Sequence, residues 1–94
     1  YVEGNLYLRN TPIKDLGNLE YVGGYLNLRD TQIESLGNLE YVGGYLNLRN
    51  TQIESLGNLK HVGDVIYINK STPLYHNKEL IEEYKRKGFK FKVN

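Results

Sequence analysis

Arg9, Arg29 and Arg49 recur at a spacing of 20 residues, and each closes a short segment in which polar side chains alternate with leucines. The alternating polar positions are Asn5, Tyr7 and Arg9; Tyr25, Asn27 and Arg29; Tyr45, Asn47 and Arg49; and Val65, Tyr67 and Asn69. A guanidinium offers a rigid fork of donors, a phenol both an apolar ring and a hydroxyl, and a carboxamide a donor and an acceptor. Side chains of these types are over-represented in binding surfaces. Their chemistry is recognition, with no bond to make or break. The candidate contact residues are Tyr7, Arg9, Tyr25, Asn27, Arg29, Tyr45, Asn47, Arg49 and Tyr67.

Catalytic constellations are not found beside them. His61 and His76 are the only histidines, and neither lies in an HExxH motif or beside a carboxylate cluster. His61 takes the place that Tyr1, Tyr21 and Tyr41 hold in the other copies. The Gly-Gly and Gly-Asn pairs recur with the repeat, and no Lys-Ser/Thr follows them, so they read as corners rather than phosphate loops. There is no cysteine for a thiolate site. Aspartate is scarce and is not repeated at calcium-ligand spacing. The expectation is a non-enzymatic chain without metal or cofactor.

The elements that must hold the recurring side chains follow from the repeat. Residues 37–56 (GNLEYVGGYLNLRNTQIESL) duplicate residues 17–36 except at one position, Asn50 for Asp30. A diverged copy starts at Gly57, and a partial one starts at Tyr1. Self-similarity at a 20-residue period predicts a solenoid. In each turn the Leu-x-Leu spacing has the period of a strand with one face buried. Strands are therefore expected at 6–9, 26–29, 46–49 and 66–69, stacked as a parallel sheet about 4.8 Å apart. Leu16, Leu19 and Val22, spaced by three, suit a tight 3₁₀-like return, with corners at Gly23-Gly24, Gly17-Asn18 and Asp30-Thr31-Gln32. The Gly-Gly corner is expected to use positive φ. Asp30 and Asn50 look interchangeable there.

Six inward columns carry the core: Val2/Val22/Val42/Val62, Leu6/Leu26/Leu46/Ile66, Leu8/Leu28/Leu48/Ile68, Ile13/Ile33/Ile53, Leu16/Leu36/Leu56 and Leu19/Leu39/Leu59. Leu74 joins the isoleucine column after an insertion near Ser71. At about 1.5–3 kcal/mol per buried side chain, these columns are the main driving force. Thr11, Thr31, Thr51 and Thr72 form a polar column whose hydroxyls are expected to bond the adjacent turn. Asn18, Asn38 and Asn58 form another at the far corner.

Residues 1–74 are read as the solenoid and 75–94 as its C-terminal cap. Asn77 is an N-cap for a helix over 78–87, with Glu79 in the first turn, Lys85, Arg86 and Lys87 in the last, and Gly88 as the stop. Phe89-Lys90-Phe91-Lys92-Val93 alternates and predicts one more strand over 89–93, its lysines discouraging edge-to-edge pairing.

Ninety-four residues allow one small domain. Twelve basic and 11 acidic residues give a net charge of +1, too balanced to specify a polyanionic partner. No apolar run approaches the length of a membrane span. Tyr1 and Val2 align with Tyr21 and Val22, so the chain is expected to open inside a repeat whose preceding part is missing.

The pattern Ile33-x-x-Leu36-x-x-Leu39-x-x-Val42-x-x-x-Leu46-x-Leu48-x-x-Thr51-x-Ile53 resembles a leucine-rich repeat. Threonine stands where that family usually has asparagine, and Gly23 and Gly43 stand where it often has leucine. The short period and the phrase GNLEYVGGYLNLRNT are similar to those of bacterial and bacteriophage leucine-rich repeat proteins, and LEYVGGYLNL is more distantly similar to receptor L domains. The resemblance, which covers residues 1 to about 74, implies an α/β repeat solenoid, a right-handed β-solenoid with a parallel sheet, to which the helix-plus-strand cap read above is added. It also implies protein binding through the exposed strand face.

The function expected is a protein-interaction or adhesion module of a bacterial or phage protein. A second reading makes the chain a structural or decorating part of a larger assembly, attached through its N-terminal end. Nucleic acid ranks below both, because Glu20/Glu40 and Glu34/Glu54 form acidic columns beside the arginine one.

Overall fold

A single turn of this repeat exposes on both sides the leucines it should bury, so its strands form only where another turn covers them. The computed structural model describes residues 1–93. Two sets of short strands alternate along the chain. The first comprises β1 (Leu6–Tyr7), β3 (Leu26–Asn27), β5 (Leu46–Asn47) and β7 (Val65–Ile68). The second comprises β2 (Tyr21–Val22), β4 (Tyr41–Val42) and β6 (His61–Val62). The first set, joined by the terminal strand β8 (Lys90–Val93), makes a five-stranded sheet in the order β1-β3-β5-β7-β8. The second makes a three-stranded sheet in the order β2-β4-β6, which a bridge between Val2 and Val22 extends. Every pairing is parallel. Between repeats the register equals the sequence period: Leu6 lies beside Leu26, Leu26 beside Leu46, and Leu46 beside Ile66. The chain is a β-solenoid of about three turns with one C-terminal helix and a final strand.

Several local expectations change. The second sheet replaces part of the expected coil: Leu19 N–H does close a tight turn onto Leu16 O at 3.2 Å, but Tyr21 and Val22 then pair as a strand. The strands of the central turns are two residues long rather than four. Cross-turn bonds run on past them, from Leu28 N to Asn47 O and from Asp30 N to Arg49 O. The chain leaves the sheet direction at Asn10, Asp30 and Asn50, whose φ values of 62°, 61° and 57° are left-handed. Asparagine and aspartate are the side chains that tolerate this conformation best after glycine.

The third change concerns the diglycine corner. Positive φ occurs at Gly17, Gly37, Gly57 and Gly88, and not at Gly23, Gly24, Gly43 or Gly44. Gly43 is required instead by close approach, since a Cβ there would collide with the carbonyl oxygen of Gly23 in the preceding turn. Adjacent turns are in backbone contact at this corner, with Gly44 N donating to Gly24 O at 2.9 Å.

The six columns meet inside. Val22, Leu26, Leu28, Ile33, Leu36 and Leu39 are at most 1% exposed, and their equivalents in the next turn are fully buried except Leu59, at 7%. The first turn is only half-covered on that side: Val2, Leu6, Leu8, Ile13, Leu16 and Leu19 are partly buried. Thr11, Thr31 and Thr51 do not bridge turns as expected. Each hydroxyl donates 2.7 Å to the carbonyl three residues back in its own turn, which closes the tight corner around the left-handed residue. Only Thr72 reaches across, to Leu48 O at 2.8 Å.

The cap is a crossover that returns the chain to the same sheet. A 3₁₀ turn (Pro73–His76) places Leu74 N on Ile53 O at 2.9 Å, which continues the isoleucine column. Helix α1 (Lys78–Arg86) follows, and Asn77 Oδ1 accepts from Leu80 N at 3.2 Å at its start. Gly88, at φ 105°, ends the turn that releases β8. Tyr84 seals the end of the core: its ring packs edge-on against Phe89, and its hydroxyl accepts from Leu56 N–H at 3.0 Å. Parallel strands require such a crossover, and the helix covers apolar surface that a further turn would otherwise cover. Among the described residues no helix is long and apolar enough to cross a membrane.

Candidate recognition face of the five-stranded sheet

In-register parallel pairing turns the alternating polar residues into columns on the outer side of the five-stranded sheet. One column runs Asn5, Tyr25, Tyr45 and Val65, a second runs Tyr7, Asn27, Asn47 and Tyr67, and Arg9, Arg29 and Arg49, held by bonds such as Asn10 N to Arg29 O and Asp30 N to Arg49 O, make the third. Strand β8 adds to this face, because Lys90 pairs with Val65 and Lys92 with Tyr67. Paired residues in a sheet point to the same side. All nine sequence-derived candidates therefore belong to one face, and the two lysines extend it. The sequence showed that the lysines alternate with apolar residues. It did not show which strand they would join.

The candidates differ in how much they present. Tyr7 is 57% exposed, whereas Asn27 and Asn47 are 7% and 4% exposed. The carboxamides of these two asparagines are used locally: Asn27 Oδ1 accepts from Arg29 N at 3.0 Å, and Asn47 Oδ1 from Arg49 N at 3.1 Å. They brace the backbone beneath the arginines. Tyr25 and Tyr45 stack face to face, with centroids 4.6 Å apart and planes within 3°. Tyr67 meets Tyr45 edge-on at 5.6 Å. Arg49 lies with its guanidinium carbon 4.7 Å from the Tyr67 ring centroid, a cation–π contact, and its Nε donates to Asn47 Oδ1 at 3.2 Å. Burial, more than the neighbouring Tyr25, raises the Tyr45 hydroxyl above its ordinary pKa.

Asp30 is the carboxylate that meets the arginine column. Its Oδ2 is 3.4 Å from Arg9 Nε and 3.9 Å from Arg29 Nε, and its Oδ1 accepts from Asn50 Nδ2 at 2.7 Å. The Asn50 hydrogen bond, followed by the Arg9 and Arg29 charges, holds the Asp30 carboxyl below the usual carboxylate value. Asn69 extends the row, donating from Nδ2 to Asn50 Oδ1 at 2.9 Å. Asp30 and Asn50 are thus not interchangeable. One is an anion between two cations, and the other is its neutral donor. The glutamate columns of the sequence do not supply this anion. Glu40 instead pairs with Lys60 at 3.3 Å.

The three-stranded sheet carries a second aromatic ladder. Tyr1, Tyr21 and Tyr41 stack at 4.6 Å, and His61 continues the stack on Tyr41 at 4.8 Å. Burial, followed by the charges of Tyr1 and Tyr41, raises the Tyr21 hydroxyl above its ordinary pKa. His76 lies apart from it in the cap, with Nε2 2.7 Å from Lys70 O. Among the described residues no group of three or more His, Cys, Asp or Glu side chains could hold a metal ion. What the sheet face can do is place cations and phenols in fixed rows against a partner. Comparison with known protein families, with curated proteins and with solved structures finds no match.

Proposed function

We propose that the chain is a non-enzymatic protein-interaction or adhesion module that binds through the Tyr/Arg face of the five-stranded sheet. The observation that carries this reading is the arginine column itself. Arg9 and Arg29 keep 43% and 34% of their side chains exposed, in a row where Asp30 offsets part of the repulsion between like charges. Neighbours about 5 Å apart in water repel by roughly 0.8 kcal/mol, and nothing in the inward columns demands a cation on the opposite side. The resemblance to bacterial and bacteriophage leucine-rich repeat proteins supports the same reading, since their sheet face is commonly the ligand surface. Fold likeness by itself does not assign function. The test replaces Arg29 and Arg49 with glutamine and follows both partner capture and thermal stability. Loss of the captured partner with a Tm within a few degrees of the parent's supports a binding face. A lower Tm with capture intact makes the face part of the scaffold.

A second reading, attachment of the solenoid to a larger assembly through its N-terminal end, draws on one observation. Leu6 and Leu8 are half-covered, while Leu26 and Leu28 are fully buried, and Tyr1 is 78% exposed. Replacing Leu8 with glutamate should abolish assembly by that route and leave capture through the arginine face unchanged.

A further inference from the structure

We propose that the five-stranded sheet face recognises an acidic protein segment, whose Asp and Glu side chains meet Arg9, Arg29, Arg49, Lys90 and Lys92. The inference rests on the binding role proposed for this face and adds the chemistry of the partner. The chain carries a net charge of only +1. Parallel addition of β8 to β7 brings Lys90 and Lys92 to the side that already carries the arginine column. Five cations then share one face, and Asp30 at its corner meets two of them, Arg9 and Arg29. A face of one sign steers and holds a partner of the other sign.

The arrangement of the rings decides between classes of polyanion. Single-stranded nucleic acid is held by bases stacking on open aromatic faces. Here Tyr25 and Tyr45 cover each other at 4.6 Å and the Arg49 guanidinium covers Tyr67, so Tyr7, 57% exposed, is a single platform where successive bases need a row of them. Such a ladder turns ring edges outward, and these have the polarity to meet anionic oxygens rather than bases. Within the fold, Asp30 already shows how a carboxylate sits here, between the side chains of Arg9 and Arg29. A carboxylate from a partner would take the same guanidinium geometry, with charge-assisted hydrogen bonds.

The experiment titrates the full chain with fluorescein-labelled oligoglutamate, with an oligothymidylate of matched charge and with a neutral Gly-Ser peptide, reading anisotropy over a range of salt. Oligoglutamate is expected to bind most tightly and to weaken as salt rises. The double variant Lys90→Glu/Lys92→Glu should bind it roughly tenfold more weakly. Asp30→Asn should bind it more tightly, because it removes the competing carboxylate; a purely structural role for Asp30 would not move affinity in that direction. Lys90→Gln/Lys92→Gln serves if the glutamate variant fails to fold. Tighter binding of oligothymidylate, or oligoglutamate binding that ignores all these substitutions, overturns the inference. If a captured partner still depends on Arg29 and Arg49 while oligoglutamate does not bind, the binding face stands and its acidic partner falls. If neither depends on the face, both fall.

Discussion

Asn50 donates from Nδ2 to Oδ1 of Asp30 at 2.7 Å, between positions that are equivalent in successive turns. The only difference between the two nearly identical repeats is therefore a matched pair. With aspartate at both corners, two carboxylates would face each other. With asparagine at both, Arg9 and Arg29 would lose the Asp30 carboxylate.

Asp30→Asn should lower stability only slightly near neutral pH, by about 0.5–1 kcal/mol, because the pair is partly exposed and solvent screens it. Its pH dependence is more diagnostic. The folded carboxyl is held below the ordinary value of 3.8. Its stabilising effect is then complete above the unfolded value and fades as pH falls through the folded one. Parent and variant should differ near neutrality and converge in strong acid, as read by urea denaturation across the acid range. An undiminished gap at the acid end would remove Asp30 from this role.

Gly43→Ala should be far more damaging than Gly57→Ala. The added methyl group at position 43 meets the Gly23 carbonyl oxygen, which cannot swing aside as a side-chain tip could. A loss of about 3 kcal/mol or more is expected, at the upper end for overpacking. At Gly57 the space is open and only the φ of 58° resists, which costs about 1–2 kcal/mol. Equal losses at the two positions, measured by chemical denaturation, would contradict backbone contact between turns.

Tyr84→Phe keeps the ring that seals the core and removes the acceptor for Leu56 N–H. An amide left buried without a partner costs about 1–3 kcal/mol. The same variant should speed hydrogen exchange at the Leu56 amide relative to amides in β3 and β5. Unchanged exchange at Leu56 would mean that the cap does not depend on this bond.

The tyrosine hydroxyls at 21 and 45 are raised above their ordinary value of 10, in both cases chiefly by burial. A raised folded value makes the neutral phenol the stabilising form. That contribution is complete below pH 10 and is lost as pH rises through the folded values. An ultraviolet absorbance titration of the nine tyrosines should show a late component that Tyr21→Phe and Tyr45→Phe each reduce. A single step near pH 10, unaffected by either substitution, is the contrary result.

Much of this was legible in the chain because a repeat states its own register. Once Leu26 and Leu46 are recognised as equivalent, their stacking, the inward columns and the outward row of arginines follow without knowledge of the three-dimensional path. The cap was legible through Asn77, Gly88 and the alternation after Phe89, which are local signals. The diglycine corner was misread because glycine has two uses, positive φ and close approach. Only the position of the neighbouring turn shows that Gly43 serves the second. The threonine column was misread for a similar reason, since a hydroxyl can reach its own turn or the next, and distance decides.

The sequence by itself determined the solenoid, its period and the residue types on each face, because hydrophobic spacing and repetition are properties of the chain alone. Tertiary structure decided which groups meet. It set Asp30 between Arg9 and Arg29, withdrew Asn27 and Asn47 into the sheet, and brought Lys90 and Lys92 beside the arginine face. The physical reason is range. Periodic burial is encoded over a few residues, whereas a charge or a hydrogen bond is satisfied only by what lies within a few ångströms, and here those partners come from another turn or from beyond a helix.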